Sequence, residues 1–166
     1  LMFGARQHAF AAAATALGAT VTTHAGTRRQ QRAFPLEPIM TAAQVQPLVD
    51  AMLRERPRPT VIFCPADSIA ALVYRAVASR GVQLGDEMAV VSCNNERSLT
   101  AGLWPPLATV DAHLRRVGQL AVEQLTRRIT GDFDGDAVDI SVTPTLVPEA
   151  SLPVRHPPRW VAAVRN

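Results

Sequence analysis

Thr60 to Gly81 reads TVIFCPADSIAALVYRAVASRG, and two periodicities stand back to back in it. Thr60-Val61-Ile62-Phe63-Cys64 is a continuous apolar run suited to a strand buried on both faces. From Ser68 to Arg80, Ile69, Leu72, Val73, Ala76 and Val77 share one face of a helix, and Gly81 stops it. Asp67 is placed to cap the orphan N–H groups of that helix start. A strand leading straight into a helix is the repeating unit of an α/β fold.

The alternation continues in both directions. Upstream, Arg56-Pro57-Arg58-Pro59 is a stiff break, preceded by Val45, Leu48, Val49, Met52 and Leu53 at helical spacing. Thr41 with Gln44 can form a capping box and start that helix. Pro47 suits a later start near Gln46, and both starts stay open. Thr27 to Pro38 reads as a loop, Thr20 to Thr23 as a short β-branched strand, and Ala9 to Leu17 as a helix capped by Gly18. Downstream, Met88 to Cys93 is a second buried strand and Leu107 to Val110 a further strand-like run. Leu114, Val117, Leu120, Ala121, Leu125 and Ile129 mark a long helix ended by Gly131. Ile140 to Leu146 alternates as a strand does. The fold class is therefore α/β, a parallel sheet flanked by helices. Ligands of open α/β sheets sit at the carboxyl ends of strands. Cys64-Pro65-Ala66-Asp67 and Cys93-Asn94-Asn95 are two such ends. The paired amides Asn94 and Asn95 can bind a polar ligand or cap the following turn, and the pattern leaves both open.

Composition narrows the function. The 166 residues suffice for one domain with a core, and 48% apolar against 19% charged residues describes a globular chain. With 5% aromatics, Ala, Val, Leu and Ile must build the core. All 17 basic residues are arginine, which reads as a GC-rich bacterial coding sequence. Net charge is +3. Arg28-Arg29 with Arg32, Arg115-Arg116 and Arg127-Arg128 read as solvated faces rather than phosphate patches. No helix-turn-helix or zinc motif is readable. Cys64 and Cys93 read as reduced core thiols, which suits the cytoplasm. No apolar run is long enough to span a membrane, and the N-terminal segment lacks the layout of a signal peptide. The chain starts at Leu1, which reads as a piece of a longer protein.

Several chemistries find no support. Asp132-Phe133-Asp134-Gly135-Asp136 suggests calcium, but an EF-hand needs glycine and glutamate where Ala137 and Thr143 stand. His8, His24, His113 and His156 lack metal-ligand spacing. No nucleophile–base pair, Walker loop or GxGxxG loop is readable, so neither an enzyme nor a cofactor is expected.

Arg58 to Cys64 resembles the "RPTAIFC" strand of the LacI/GalR family of transcription regulators, and Ala66-Asp67 stands where that family usually has Asn-Asp. Ala89 to Asn95 is similar to its "VSVVGFDD". Trp104 to Val110 is similar to "TPPLTTV". The helix from Val117-Gly118 to Gly131 follows in order, and Leu146 to Ser151 resembles an "LVVRES" ending. Arg6 to Phe10 resembles "RxxGF". The order and spacing of these pieces cover Arg6 to Ser151.

The resemblance implies a fold like class I periplasmic binding proteins, with a small effector held between two lobes. Residues 1–104 would be the second lobe, 105–110 the crossover with Pro105 and Pro106 as its rigid hinge, 111–150 elements returning to the first lobe, and 151–166 a tail. It assigns the ligand site to Arg6, Met40, Ala66, Asp67 and Asn94. Arg6 matches an arginine that grips a hydroxyl or carboxylate, Asn94 an aspartate, Met40 a stacking aromatic and Ala66 an asparagine. The loss of the aspartate's charge at Asn94, facing Arg6, favours an acidic ligand. Family dimers would use Ile69, Leu72, Val73, Leu99 and Leu103, residues that as a pattern equally read as core. The implied function is effector sensing by a LacI-type repressor whose DNA-binding helix-turn-helix lies outside this chain. The rivals are a solute-binding protein of the same fold, which a secretion signal would mark, and an enzyme on an α/β scaffold.

Overall fold

The structure is a computed structural model that describes residues 2–26 and 40–152. The expected loop at 27–38, Arg28, Arg29 and Arg32, and all of the expected tail but Ser151 and Leu152 lie outside the described residues. In chain order the elements are α1 (Met2–Ala16), α2 (Ala42–Arg54), β1 (Val61–Phe63), α3 (Asp67–Ala78), β2 (Ala89–Cys93), α4 (Arg97–Thr100), β3 (Ala108–Asp111), α5 (Leu114–Ile129) and β4 (Thr145–Val147). The four strands form one sheet in the order β1-β2-β3-β4. β1, β2 and β3 are parallel, and β4 runs antiparallel to β3.

The centre of the sheet follows the apolar pattern. Val90 and Ser92 are fully buried, with Met88, Val91 and Cys93 nearly so. α3 turns Ala70, Val73, Tyr74, Ala76 and Val77 into the core, against α2's Val45, Val49 and Met52. α2 starts at the earlier of the two open positions. Thr41 N–H donates to Gln44 Oε1 at 2.8 Å, a side chain reaching back over the helix start. Pro47 sits inside the helix, past its first turn, where it has no N–H to donate to the Ala43 carbonyl.

Four expectations are corrected. Thr20–Thr23 runs outside the sheet, so Val61 on β1 is 45% exposed rather than buried on both faces. β-branched residues favour a strand only when a neighbour supplies a ladder and a packed face. Of 140–146, only Thr145 and Leu146 pair with β3, because that is as far as the antiparallel register reaches. The N-cap of α3 is Ala66, and Asp67 is its first helical residue. The Asp67 carboxylate serves a longer-range purpose described below. Finally, α1 begins well before Ala9.

The stretch expected as a crossover enters the sheet. Leu107 and Ala108 are buried, and β3 takes register with β2 through Val91–Ala108, Ser92–Thr109 and Cys93–Val110. Pro105 and Pro106 stand just ahead of it. Ser151 clamps this entry. Its hydroxyl donates to Val90 O at 2.7 Å and accepts from Ala108 N–H at 2.7 Å, and its own N–H donates to Pro106 O at 3.0 Å. Gly85 lets the chain before Ser151 approach. Its φ is +87°, and a Cβ there would stand 2.7 Å from Ala150 O.

Candidate effector site at the strand ends

The parallel register aligns the carboxyl ends of β1, β2 and β3 on one side of the sheet. α1 crosses that side. Phe10 stacks on Phe63 of β1 with ring centroids 4.4 Å apart and planes 6° apart. Arg6 lies one turn earlier on the same helix face, since residues four apart are neighbours on a helix. Its Nη1 donates to Pro65 O at 2.9 Å and to Asn94 Oδ1 at 2.8 Å. Two residues 88 positions apart in sequence are thereby joined at the ends of two strands.

The turn after β2 explains why two amides stand together. Asn94 has φ 118° and Asn95 φ 59°, both in the region that disfavours most side chains. Asparagine tolerates positive φ better than other non-glycine residues. Each amide is then used. Asn94 Nδ2 donates to Glu96 Oε1 at 2.8 Å, and Asn95 Nδ2 donates to Asp111 Oδ2 at 3.0 Å. Asn95's donor and the His113 backbone N–H hold the Asp111 carboxyl below its usual range. The turn-capping and site-forming readings of the amides describe the same residues.

Asp67 lies beneath this surface, not on it. It is fully buried. Its Oδ1 accepts from the Ser92 and Thr109 hydroxyls, the latter at 2.8 Å, and its Oδ2 accepts from Glu96 N–H at 2.6 Å. A buried carboxylate must be satisfied, and this one ties α3, β2, β3 and the 94–96 turn together. It was expected as a ligand contact, and its burial corrects that. Ala66 is corrected likewise: at 1% exposure its methyl group is core, because the chain turns it inward at the helix start.

Met40 faces a different space. It packs against the core and lines a cavity of about 820 Å³ under α1, together with Phe10, Val21, Met52, Val61 and Phe63. The described lining of that cavity includes Pro65 at the edge of the site, but neither Arg6 nor Asn94. Of the five expected ligand residues the fold thus joins Arg6 and Asn94, sets Met40 apart, and buries Ala66 and Asp67. Among the expected dimer residues, Val73 is core at 7% exposure, because it lies on the inner face of α3. Ile69, Leu72 and Leu103 are half-buried against the core, and Leu99 is exposed.

Glu96 and Pro65 were missed as site residues. Glu96 also alters the charge argument, because a carboxylate stands beside Asn94 after all. Its position three residues past the end of β2 was the available signal. Pro65 contributes a backbone carbonyl, which no side-chain motif can show. The cysteines hold no reactive thiolate. Burial pushes the Cys64 thiol up to about 12, and burial raises Cys93 as well, against the pull of the nearby Arg6 guanidinium. No group of three or more His, Cys, Asp or Glu side chains able to hold a metal occurs among the described residues. No described helix is long and apolar enough to cross a membrane.

Comparison with known proteins agrees with this architecture. The periplasmic binding protein-like domain model matches residues 3–152. The HTH-type transcriptional repressor PurR of Aliivibrio fischeri is 32% identical over 119 residues, which is 70% of this chain and 35% of that protein. The ribose operon repressor of Haemophilus influenzae is 32% identical over 81 residues, 49% of this chain and 24% of its own length. The chain spans about a third or less of these curated relatives. A LacI family transcriptional regulator from Arthrobacter sp. FB24, solved in complex with lactose, superposes with a TM-score of 0.72 at 26% identity, covering 88% of this chain and 50% of that one. The chain belongs to the periplasmic-binding-protein-like domain family, in the form found in LacI-type regulators.

Proposed function

We propose that this chain is the effector-sensing part of a LacI-type repressor and acts by binding, not catalysis. The observation that carries the reading is the meeting of Arg6 and Asn94 over the Pro65 carbonyl, at the carboxyl ends of parallel strands. A guanidinium and an amide at such an edge suit a small polar ligand with several hydrogen-bonding groups. The lactose in the Arthrobacter regulator's structure makes a sugar or related polar metabolite the first class to test.

In this reading residues 1–104 form the second lobe, 105–110 the crossover and 111–150 elements that return to a first lobe outside this chain. Ligand held between the lobes favours one of two lobe arrangements. A DNA-binding helix-turn-helix, also outside this chain, reports the choice from the cytoplasm. The protein works as a homodimer, with Leu99, Leu103, Ile69 and Leu72 at the interface. The apolar stripe of α5 packs on the first lobe, with Leu125 at 60% and Ile129 at 75% exposure until it is covered.

The test is a thermal-shift screen of the whole protein against sugars, sugar phosphates, sugar acids and purines. A ligand that binds only the folded state raises the midpoint by mass action, by about 2.7 kcal/mol at a hundredfold excess over Kd. A shift abolished by Arg6→Ala supports the sensor. No shift with any class overturns it.

A further inference from the structure

The charge that Asn94 lacks has not left the site; it stands two residues further on. Arg6 can only donate hydrogen bonds and a carboxylate can only accept them, which fixes the Asn94 amide in one orientation. Oδ1 faces Arg6 at 2.8 Å and Nδ2 faces Glu96 Oε1 at 2.8 Å. Reversing the amide would set donor against donor at Arg6 and acceptor against acceptor at Glu96. The result is a chain from a guanidinium through one amide to a carboxylate, with all three side chains half-buried. Glu96 is held in place from below, because its backbone N–H donates to the buried Asp67 at 2.6 Å. Among the described residues, Arg6 in contrast bonds to neutral acceptors, the Pro65 carbonyl and the Asn94 amide.

We infer that Glu96 is a specificity-determining residue of this site, selecting ligands that bring a hydroxyl or ammonium donor to its carboxylate and an acceptor to Arg6, and rejecting ligands of net negative charge. The inference rests on the effector-sensing reading. It reverses the acidic-ligand expectation drawn from Asn94 alone. An anion approaching Arg6 meets a second negative charge one amide away. An amine or a pair of hydroxyls finds a charge-assisted partner there.

The test uses the whole protein and three probes that share a ring: glucose, glucosamine and glucuronate, titrated at constant ionic strength. If wild type responds only to another skeleton in the wider panel, its neutral, amino and acid forms replace these three. The expected wild-type order is amine at or above neutral, and neutral above acid by about tenfold, the size of one unit-charge repulsion near a surface. Glu96→Gln keeps an acceptor for Asn94 Nδ2 and removes only the charge. It should bring acid and amine to within about threefold of one another. A wild type that prefers the acid overturns the inference, as does a preference that survives in Glu96→Gln. In either case the sensor reading stands, provided Arg6→Ala abolishes binding. No response to any probe or panel member takes down both.

Discussion

α3 and α5 carry the same kind of sequence pattern and meet opposite fates. Each has apolar residues at three- and four-residue spacing along one face. α3 buries Asp67, Ala70, Val73, Tyr74, Ala76 and Val77 against α2, β2 and α4. α5 buries none, and Leu125 is 60% exposed. Periodicity shows that a helix has a face to hide. What hides it depends on which elements lie across from that face. α3 follows β1, an edge strand, and drops back onto its inner neighbour β2. α5 leaves the sheet at Asp111 through His113, whose positive φ turns the chain away.

The largest effect should come from the group that α3 alone contributes to the sheet. Asp67→Ala leaves the Ser92 and Thr109 hydroxyls and the Glu96 N–H without their acceptor. At about 1–3 kcal/mol for each buried unsatisfied group, the loss should reach at least ~3 kcal/mol, read as a lower urea midpoint. A loss under ~1 kcal/mol would mean that the network is not what joins α3 to the strand ends. Next comes the apolar face of α3. Val77→Ala removes two buried methyl groups and leaves a cavity, which should cost about 2 kcal/mol. A smaller effect sits on the sheet rim. The lowered Asp111 value means its contribution is present above the ordinary carboxylate range and is lost as pH falls through the folded value. Below about pH 4, Asp111→Asn should therefore lose less stability with falling pH than wild type does. Equal acid limbs in the two proteins would remove the Asn95–Asp111 contact from the account. The smallest effect should be Leu125→Ala on α5, within about 0.5 kcal/mol in this chain alone, as for other uncovered positions. In the whole protein the same change should cost several times more if a first lobe covers α5. Identical values in both settings would break the contrast between the helices at its root.

The candidate site was legible in part, and the division has a physical basis. Arg6 and Asn94 could be found because each lies in a local motif, and the parallel register does the rest. Glu96 escaped because its role depends on the orientation of a neighbouring amide. Ser151 escaped because its hydroxyl bridges Val90 O and Ala108 N–H from 61 and 43 residues away. Val73 was offered to a dimer partner because helical spacing does not distinguish a core face from an interface face. Thr20–Thr23 was assigned to the sheet on β propensity, which describes a fit to a neighbour and not a property of the segment.

By itself the sequence determined the alternation of strands and helices, the buried centre of the sheet and the two strand ends where a ligand would meet it. These follow from apolar period and from local turn chemistry, which act over a few residues. Only the tertiary structure decided which polar residues face the site and which hold it from beneath. Asp67 and Glu96 are both carboxylates near strand ends. One is sealed under Ser92 and Thr109, and the other is turned toward Asn94. That difference is set by contacts between distant segments, because burial and hydrogen-bond partners belong to the assembled sheet and not to any stretch of the chain.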